Sequence, residues 1–252
     1  MTCDDPIAHW EEHARWWQDG FTAGADPEYE EQILPLVERL LAGASRIVDV
    51  GAGEGQVARR LSRRFAPGSA GDGETLVVAV EPAVAQLAVA RERAGGPVYL
   101  RGVAQHLPLR DASVDAAVAC LVFEHLADHE PAVAEVARVL VPGGRFLLLL
   151  NHPLLQAPGS GWVIDHILEE EYWRLGPYLP VDVTMEELAP GVTLPFVHRP
   201  LSQYVNALAA HGLLVERMEE PAPPPGFLAR APEYPAAATI PRLLALLART
   251  HP

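Results

Sequence analysis

Three glycines spaced two residues apart, in Asp49-Val-Gly51-Ala-Gly53-Glu-Gly55, follow the short β-branched run Arg46-Ile-Val-Asp-Val50. Glycine there lets the backbone turn sharply and lets a ligand approach main-chain N–H groups at a helix start. A glycine trio after a strand is a weak signal alone, because dinucleotide-binding proteins use a related device. Two details separate the cases. The third glycine comes two residues after the second, not the three of a dinucleotide fingerprint. Asp49, two residues before the first glycine, suits a cationic ligand and would repel a pyrophosphate. Glu81 ends the next strand, placed to accept from both hydroxyls of a ribose. Asp49 and the glycine spacing thus disfavour a nicotinamide-dependent oxidoreductase.

The elements that must position these residues can be read from periodicity. Residues 46–50, 75–80, 98–101, 114–120 and 145–150 read as strands, with helices over 56–65, 84–94 and 131–140. Strands alternating with helices at this spacing imply right-handed βαβ units and a parallel sheet buried on both faces. Residues 5–43 read as helical, first over 9–17 and then over 29–41, where Pro35 divides the segment in two. Residues 67–74 are a loop by composition. The pattern breaks after Asn151 and returns with a helix over 201–210 and strands over 213–217 and 243–248. No crossover helix lies between those two strands, so the last one runs antiparallel. The expected fold is α/β: a Rossmann-like, seven-stranded, mostly parallel sheet with helices on both faces. The expected organisation is a single domain, 1–252, with a helical cap (1–44), a core (45–151 and 201–252) and an insert (152–200) after the fifth strand.

Taken together these residues resemble the class I S-adenosylmethionine (SAM)-dependent methyltransferases, especially the group acting on small molecules. The resemblance runs through residues 47–55, Val80-Glu81-Pro82, residues 102–115 and residues 135–146. Leu107-Pro108-Leu109 with Asp111, Ser113 and Asp115 looks like the family's turn into its fourth strand. Arg138-Val-Leu-Val-Pro-Gly-Gly144 looks like its helix–turn before the fifth. The resemblance implies SAM as cofactor and S-adenosylhomocysteine (SAH) as product. It implies that Asp49 and the backbone at Gly51, Ala52 and Gly53 hold the methionine end and the sulfonium side. Glu81, with Pro82 beside it, would bind the ribose, Ala104 and Gln105 would flank the adenine, and Leu121 would touch the cofactor just past strand four. Where the family often has an acidic residue for the adenine amino group, this chain has Val103, so Gln105 or packing must serve. Tyr29 and Trp17 are expected to close over the methionine end and the acceptor.

Methyl transfer needs alignment and water exclusion, and a base only when the nucleophile still carries its proton. The expected reaction is therefore transfer to a small organic acceptor without a loud catalytic motif. Rival readings are a SAM-binding protein that does not methylate, and a protein or RNA methyltransferase. His125 and His152, both just past strand ends, are the candidate bases. The insert carries Trp162, Tyr172, Trp173, Tyr178 and His198 and is expected to form a lid whose side chains line the acceptor pocket. The sequence Cys120-Leu-Val-Phe-Glu-His125 lacks the Pro-Pro motif of base and glutamine nitrogen methyltransferases. His9 and His13 stand four apart, but Trp10 takes the place of a zinc-protease glutamate, so no metal is expected.

Bulk properties bound the rest. The chain has 252 residues, 49% hydrophobic and 21% charged, with a net charge of −14. All 19 basic residues are arginine. Such an acidic balance disfavours nucleic acid, and Arg59, Arg60, Arg63 and Arg64 are expected to form a solvated helix face. No apolar run reaches the ~18 residues of a membrane helix, and the N-terminus lacks signal-peptide order, so a cytoplasmic protein without membrane contact is expected. Cys3 and Cys120 make no disulfide framework, and Cys120 reads as a small buried hydrophobe. The sequence sets no oligomeric state.

Overall fold

A computed structural model of the chain describes residues 6–64, 75–230 and 238–251. Cys3, the 67–74 loop and the side chain of Arg64 lie outside the described residues. Two short helices, α1 (Pro6–Glu12) and α2 (Ala14–Phe21), open the chain where one helix over 9–17 was expected. A five-residue π turn (Tyr29–Ile33) then runs directly into α3 (Leu34–Leu40). Pro35 therefore does not split the segment. It sits in the first turn of α3, where a missing N–H costs least, and the widened turn before it is closed by Leu34 N–H donating to Tyr29 O.

The core follows as β1 (Arg46–Val50), α4 (Gln56–Arg64), β2 (Leu76–Glu81), α5 (Val84–Arg93), β3 (Val98–Arg101), β4 (Val114–Cys120), α6 (Glu130–Val139) and β5 (Leu140–Asn151). After it come α7 (Pro153–Gln156), two hairpins, β6 (Gly161–Asp165) with β7 (Glu170–Arg174) and β8 (Asp182–Ala189) with β9 (Val192–His198), and α8 (Leu201–Ala210). The chain closes with β10 (Leu213–Glu219), α9 (Pro225–Leu228) and β11 (Leu243–Thr250). The sheet has seven strands in the order β10-β11-β5-β4-β1-β2-β3, with β11 antiparallel to both neighbours. This is the expected Rossmann-like architecture.

Side-chain alternation on β5 shows why the sheet is buried on both faces. Phe146, Leu148 and Leu150 join α6 and α8 in one core, and Leu147 and Leu149 join α3 and α4 in the other. All five are at most 1% exposed, and each such side chain contributes roughly 1.5–3 kcal/mol of hydrophobic stabilisation. Arg138 on α6 fixes the turn into β4. It donates to Leu107 O and Leu109 O and pairs with Asp111 and Glu135. The sheet's carboxyl edge, where ligands of such folds bind, thus carries the turns after β1, β2 and β4. Among the described residues no helix is long and apolar enough to cross a membrane.

Candidate active site

Those turns open into a cavity of about 430 Å³ at the sheet's carboxyl edge. Its floor is Asp49 and the turn Gly51–Glu54, one side is Glu81, Pro82 and Gln86, and another is Val103, Ala104 and Gln105. Tyr29, Cys120, Leu121 and Val122 form the wall beneath the helical cap, and His125, Leu126, Ala127 and Asp128 form the far rim. Pro6, Ile7, Trp10 and Trp17 of α1 and α2 cover the opening.

The backbone at the floor is shaped by glycine. Gly51 has φ +70, and a Cβ there would lie 2.5 Å from Val122 Cγ2, so nothing larger fits beneath the loop after β4. Gly53 has φ +55 and nothing within 4 Å of where its Cβ would be, which leaves space on that side of the turn, although its N–H is donated to Glu81. Leu121 also takes a left-handed conformation, φ 56, unusual for a branched residue, and its N–H is tied to Leu149 O at 2.9 Å.

Two buried carboxylates dominate the electrostatics. Asp49 is 1% exposed, and its Oδ2 is buried without a hydrogen-bond partner. Burial pushes its pKa up to about 7, and the nearby Glu81 and Glu54 charges push the same way. Glu81 is also driven to about 7 by burial, although its two oxygens accept from Gly53 N at 2.9 Å and Ala83 N at 2.8 Å. Each oxygen keeps a second lone pair. Asp49 keeps one hydrogen bond, to the backbone of Ala58, and its free Oδ2 beside the cavity suits the cationic methionine end of SAM and no phosphate.

The covering aromatics form a connected set. Trp17 stacks on Phe21 at 4.4 Å and meets Trp10 and Tyr29 edge to face. Polar contacts hold the cap down: Glu11 caps the start of α5 through Ala85 N, Gln18 donates to Gln86, and Thr22 accepts from Arg93.

The ten expected cofactor residues, Tyr29, Asp49, Gly51, Ala52, Gly53, Glu81, Pro82, Ala104, Gln105 and Leu121, all line this one cavity, as do Trp17 and His125. The histidines separate. His125 Nδ1 lies 2.9 Å from Pro195 O, its ring meets Trp10 edge to face and packs on Phe196. Burial lowers its pKa to about 4. His152 does not line the cavity, contrary to expectation. It is the N-cap of α7: Nδ1 accepts from Leu154 N at 3.1 Å and Nε2–H donates to Glu220 at 2.8 Å. With both nitrogens engaged it has none for a substrate. His152→Ala is expected to cost about 1 kcal/mol of stability, the worth of such a cap, and to leave SAH affinity within twofold. A denaturant melt and a titration of the variant check both.

The insert also departs from expectation. Trp162 and Trp173 are cross-strand partners in the β6–β7 hairpin, ring centroids 5.7 Å apart, and Tyr172 is 45% exposed on its other face. Tyr178 accepts from Leu201 N through its hydroxyl and packs on His198, whose Nε2 donates to Tyr178 O. None of these five lines the cavity: four are spent on contacts within the insert and at the start of α8, and Tyr172 faces outward. What the insert supplies is support. Pro195 and Phe196 seat His125, and buried Arg199 donates to the carbonyls of Phe123, Leu126 and Ala127. Glu124 ties the same turn to Asn151 from the other side. Trp10, Ile7 and Gln86 are cavity residues that sequence reasoning missed; Ile7, Trp10 and Trp17 fall three and seven apart, a helical spacing that could have marked them. His9 and His13 are both half-buried, and among the described residues no three potential ligands converge on a metal-sized site.

A methyltransferase-domain family model matches residues 48–148. An uncharacterized methyltransferase of Mycobacterium bovis is 33% identical over 226 residues, 90% of this chain and 80% of the relative. A ubiquinone/menaquinone biosynthesis C-methyltransferase of Methylobacterium nodulans is 38% identical over 140 residues, 53% of this chain but only 51% of that protein. A solved SAM-dependent methyltransferase of Mesorhizobium loti superposes with a TM-score of 0.72 at 28% identity, covering 85% of this chain and 96% of its own. Fold, cavity and relatives agree. The chain belongs to the class I SAM-dependent methyltransferase family, and it is a methyltransferase enzyme whose family cofactor is SAM.

Proposed function

We propose that the chain methylates a small organic molecule held beside the cofactor in this cavity. The observation that carries the reading is the unpartnered Asp49 Oδ2 beside a partly open cavity of about 430 Å³ that Trp10, Trp17 and Tyr29 help to line. SAM, when bound, supplies a methyl group already activated by positive sulfur. Asp49 holds its charged methionine end, with Gly51, Ala52 and Gly53 presenting backbone and Tyr29 and Trp17 closing above. Glu81 takes the ribose hydroxyls on its spare lone pairs, Pro82 packs beside it, Ala104 and Gln105 flank the adenine, and Leu121 holds the sulfur side. The cap of α1 and α2 excludes water, and the acceptor sits between Trp10 and His125.

The size of the cavity and its largely apolar lining favour a small acceptor over a protein or nucleic-acid chain. The quinone-biosynthesis relative acts, by its name, on a small molecule, and this supports the same substrate class here. The test has two stages. Calorimetry with SAM, SAH and NAD should show micromolar binding of the first two and none of NAD. Methyl-labelled SAM incubated with the protein and a cell extract should then label the low-mass fraction. Label confined to protein or RNA would sink the acceptor class while leaving the cofactor in place.

A further inference from the structure

We infer that the acceptor is a neutral, flat, largely apolar molecule that donates an O–H or N–H hydrogen bond to His125 Nε2, an inference that rests on the cavity's being the joint site of cofactor and acceptor. The polarity of that nitrogen follows from its neighbour. A carbonyl oxygen only accepts, so the contact of Nδ1 with Pro195 O at 2.9 Å places the ring proton on Nδ1. Nε2 of the neutral ring then carries a lone pair, and among the described residues it has no hydrogen-bond partner. The ring cannot turn over easily, because Trp10 meets it at 5.0 Å and 84° and Phe196 packs on it at 4.6 Å. His125 is therefore a fixed acceptor beside Trp10, Leu126 and Ala127, with Asp128 the one charged group on its rim.

Charge narrows the class further. The charged side chains lining the cavity are Asp49, Glu54, Glu81 and Asp128, and among the described residues no arginine lines it. A carboxylate or phosphate acceptor would meet a negative field and a lone pair at His125. An alkylammonium must lose its proton before it can attack, and this buried, weakly basic imidazole is a poor recipient. A phenol or an aromatic amine meets neither obstacle on entry. Both are uncharged near neutral pH, both are flat enough to lie against Trp10, and both present a donor to Nε2.

The test is a titration of SAH-saturated protein with four naphthalenes of one shape: 2-naphthol, 2-naphthylamine, 2-methoxynaphthalene and 2-naphthoate. At least one of the two donors is expected to bind tenfold or more tightly than the methoxy compound and the anion. Naphthol alone in that position assigns oxygen, naphthylamine alone assigns nitrogen. His125→Phe keeps a ring against Trp10 and Phe196 but removes the acceptor, and should shrink the preference to within threefold while SAH affinity is retained. Naphthoate or methoxynaphthalene binding as tightly as the donors, or no binding of any of the four, would overturn the inference. Should His125→Phe lose SAH binding through misfolding, the ranking on the unsubstituted protein still decides. Failure of SAH itself to bind overturns the cofactor reading instead, so the two failures are told apart.

Discussion

Asp49→Asn is expected to weaken SAH and SAM binding at least tenfold, about 1.4 kcal/mol, and at the same time to stabilise the ligand-free protein above neutral pH. Both effects come from one buried, unpaired oxygen. Folding removes the carboxylate from water and raises its pKa from an ordinary value near 4 to about 7. Between those values the native state holds a proton that the unfolded chain has lost. Stability therefore falls as pH rises from about 4 to about 7, and the full penalty stands above 7. Asparagine has no proton to lose, so the variant escapes this share of the penalty. Its melting temperature should gain on that of the unsubstituted protein by roughly 5–10 °C more at pH 8.5 than at pH 5, where only about a third of the penalty stands. A bound ammonium group offsets the same penalty, so SAH should raise the melting temperature more at pH 8.5 than at pH 5. Calorimetric affinities with melts at both pH values check the pair. Affinity unchanged within twofold, or a stability difference independent of pH, would mean that Asp49 is not the anion that meets the ligand.

The opposition between binding and stability at Asp49 explains why this part of the site was legible in the sequence. A carboxylate two residues before a glycine turn has no structural reason to be buried alone, and so its type and position already pointed to a cationic ligand. Strand and helix alternation likewise placed Glu81 at the sheet edge, because the parallel topology follows from the pattern, whereas Gln105 and Leu121 were implied by the family resemblance. Past β5 that logic fails. Residues 161–198 form two hairpins, largely exposed except for the buried β9, whose strands lack clean alternation, so their aromatics looked like ligand-facing groups. Trp162 and Trp173 in fact face each other across a strand pair, a contact that requires a register no sequence pattern supplied. His125 and His152 occupy equivalent places, each just beyond a strand, yet one lines the cavity and the other caps a helix. The difference depends on where α7 begins and on Pro195 arriving from a distant hairpin. Trp10 was read against a metal motif, and its role depends on the packing angle of α1 over the sheet edge.

Glu54→Ala is expected to be the most destabilising change near the site, costing about 3–5 kcal/mol, because it strands a buried cation. Of the α4 arginines whose side chains are described, Arg63 is exposed as its spacing suggested, but Arg59 and Arg60 turn to carboxylates instead. Arg59 is 7% exposed and folds back over the glycine turn to pair with the side chain and backbone oxygens of Glu54, itself 1% exposed. Arg60 pairs instead with Glu38 on α3. Spacing put the arginines on one helix but could not show that a carboxylate waited beneath the first of them. Arg93 completes the group at 2.7 Å from Glu54 and 2.8 Å from Thr22 at the end of α2, so the ion cluster joins the glycine turn to the helical cap. Removing Glu54 leaves Arg59 desolvated with a single backbone acceptor, and loosens Arg93 from beneath the cap. Truncating both ends of the buried pair, as Glu54→Ala with Arg59→Met, should restore most of the loss, since the cost is the uncompensated charge rather than the pair's net worth. Denaturant melts of the two single variants and the double variant form the cycle that measures it. If Glu54→Ala costs less than about 1 kcal/mol, or the double variant is no better than the single, Arg59 reaches water in solution and the turn is held by its glycines alone.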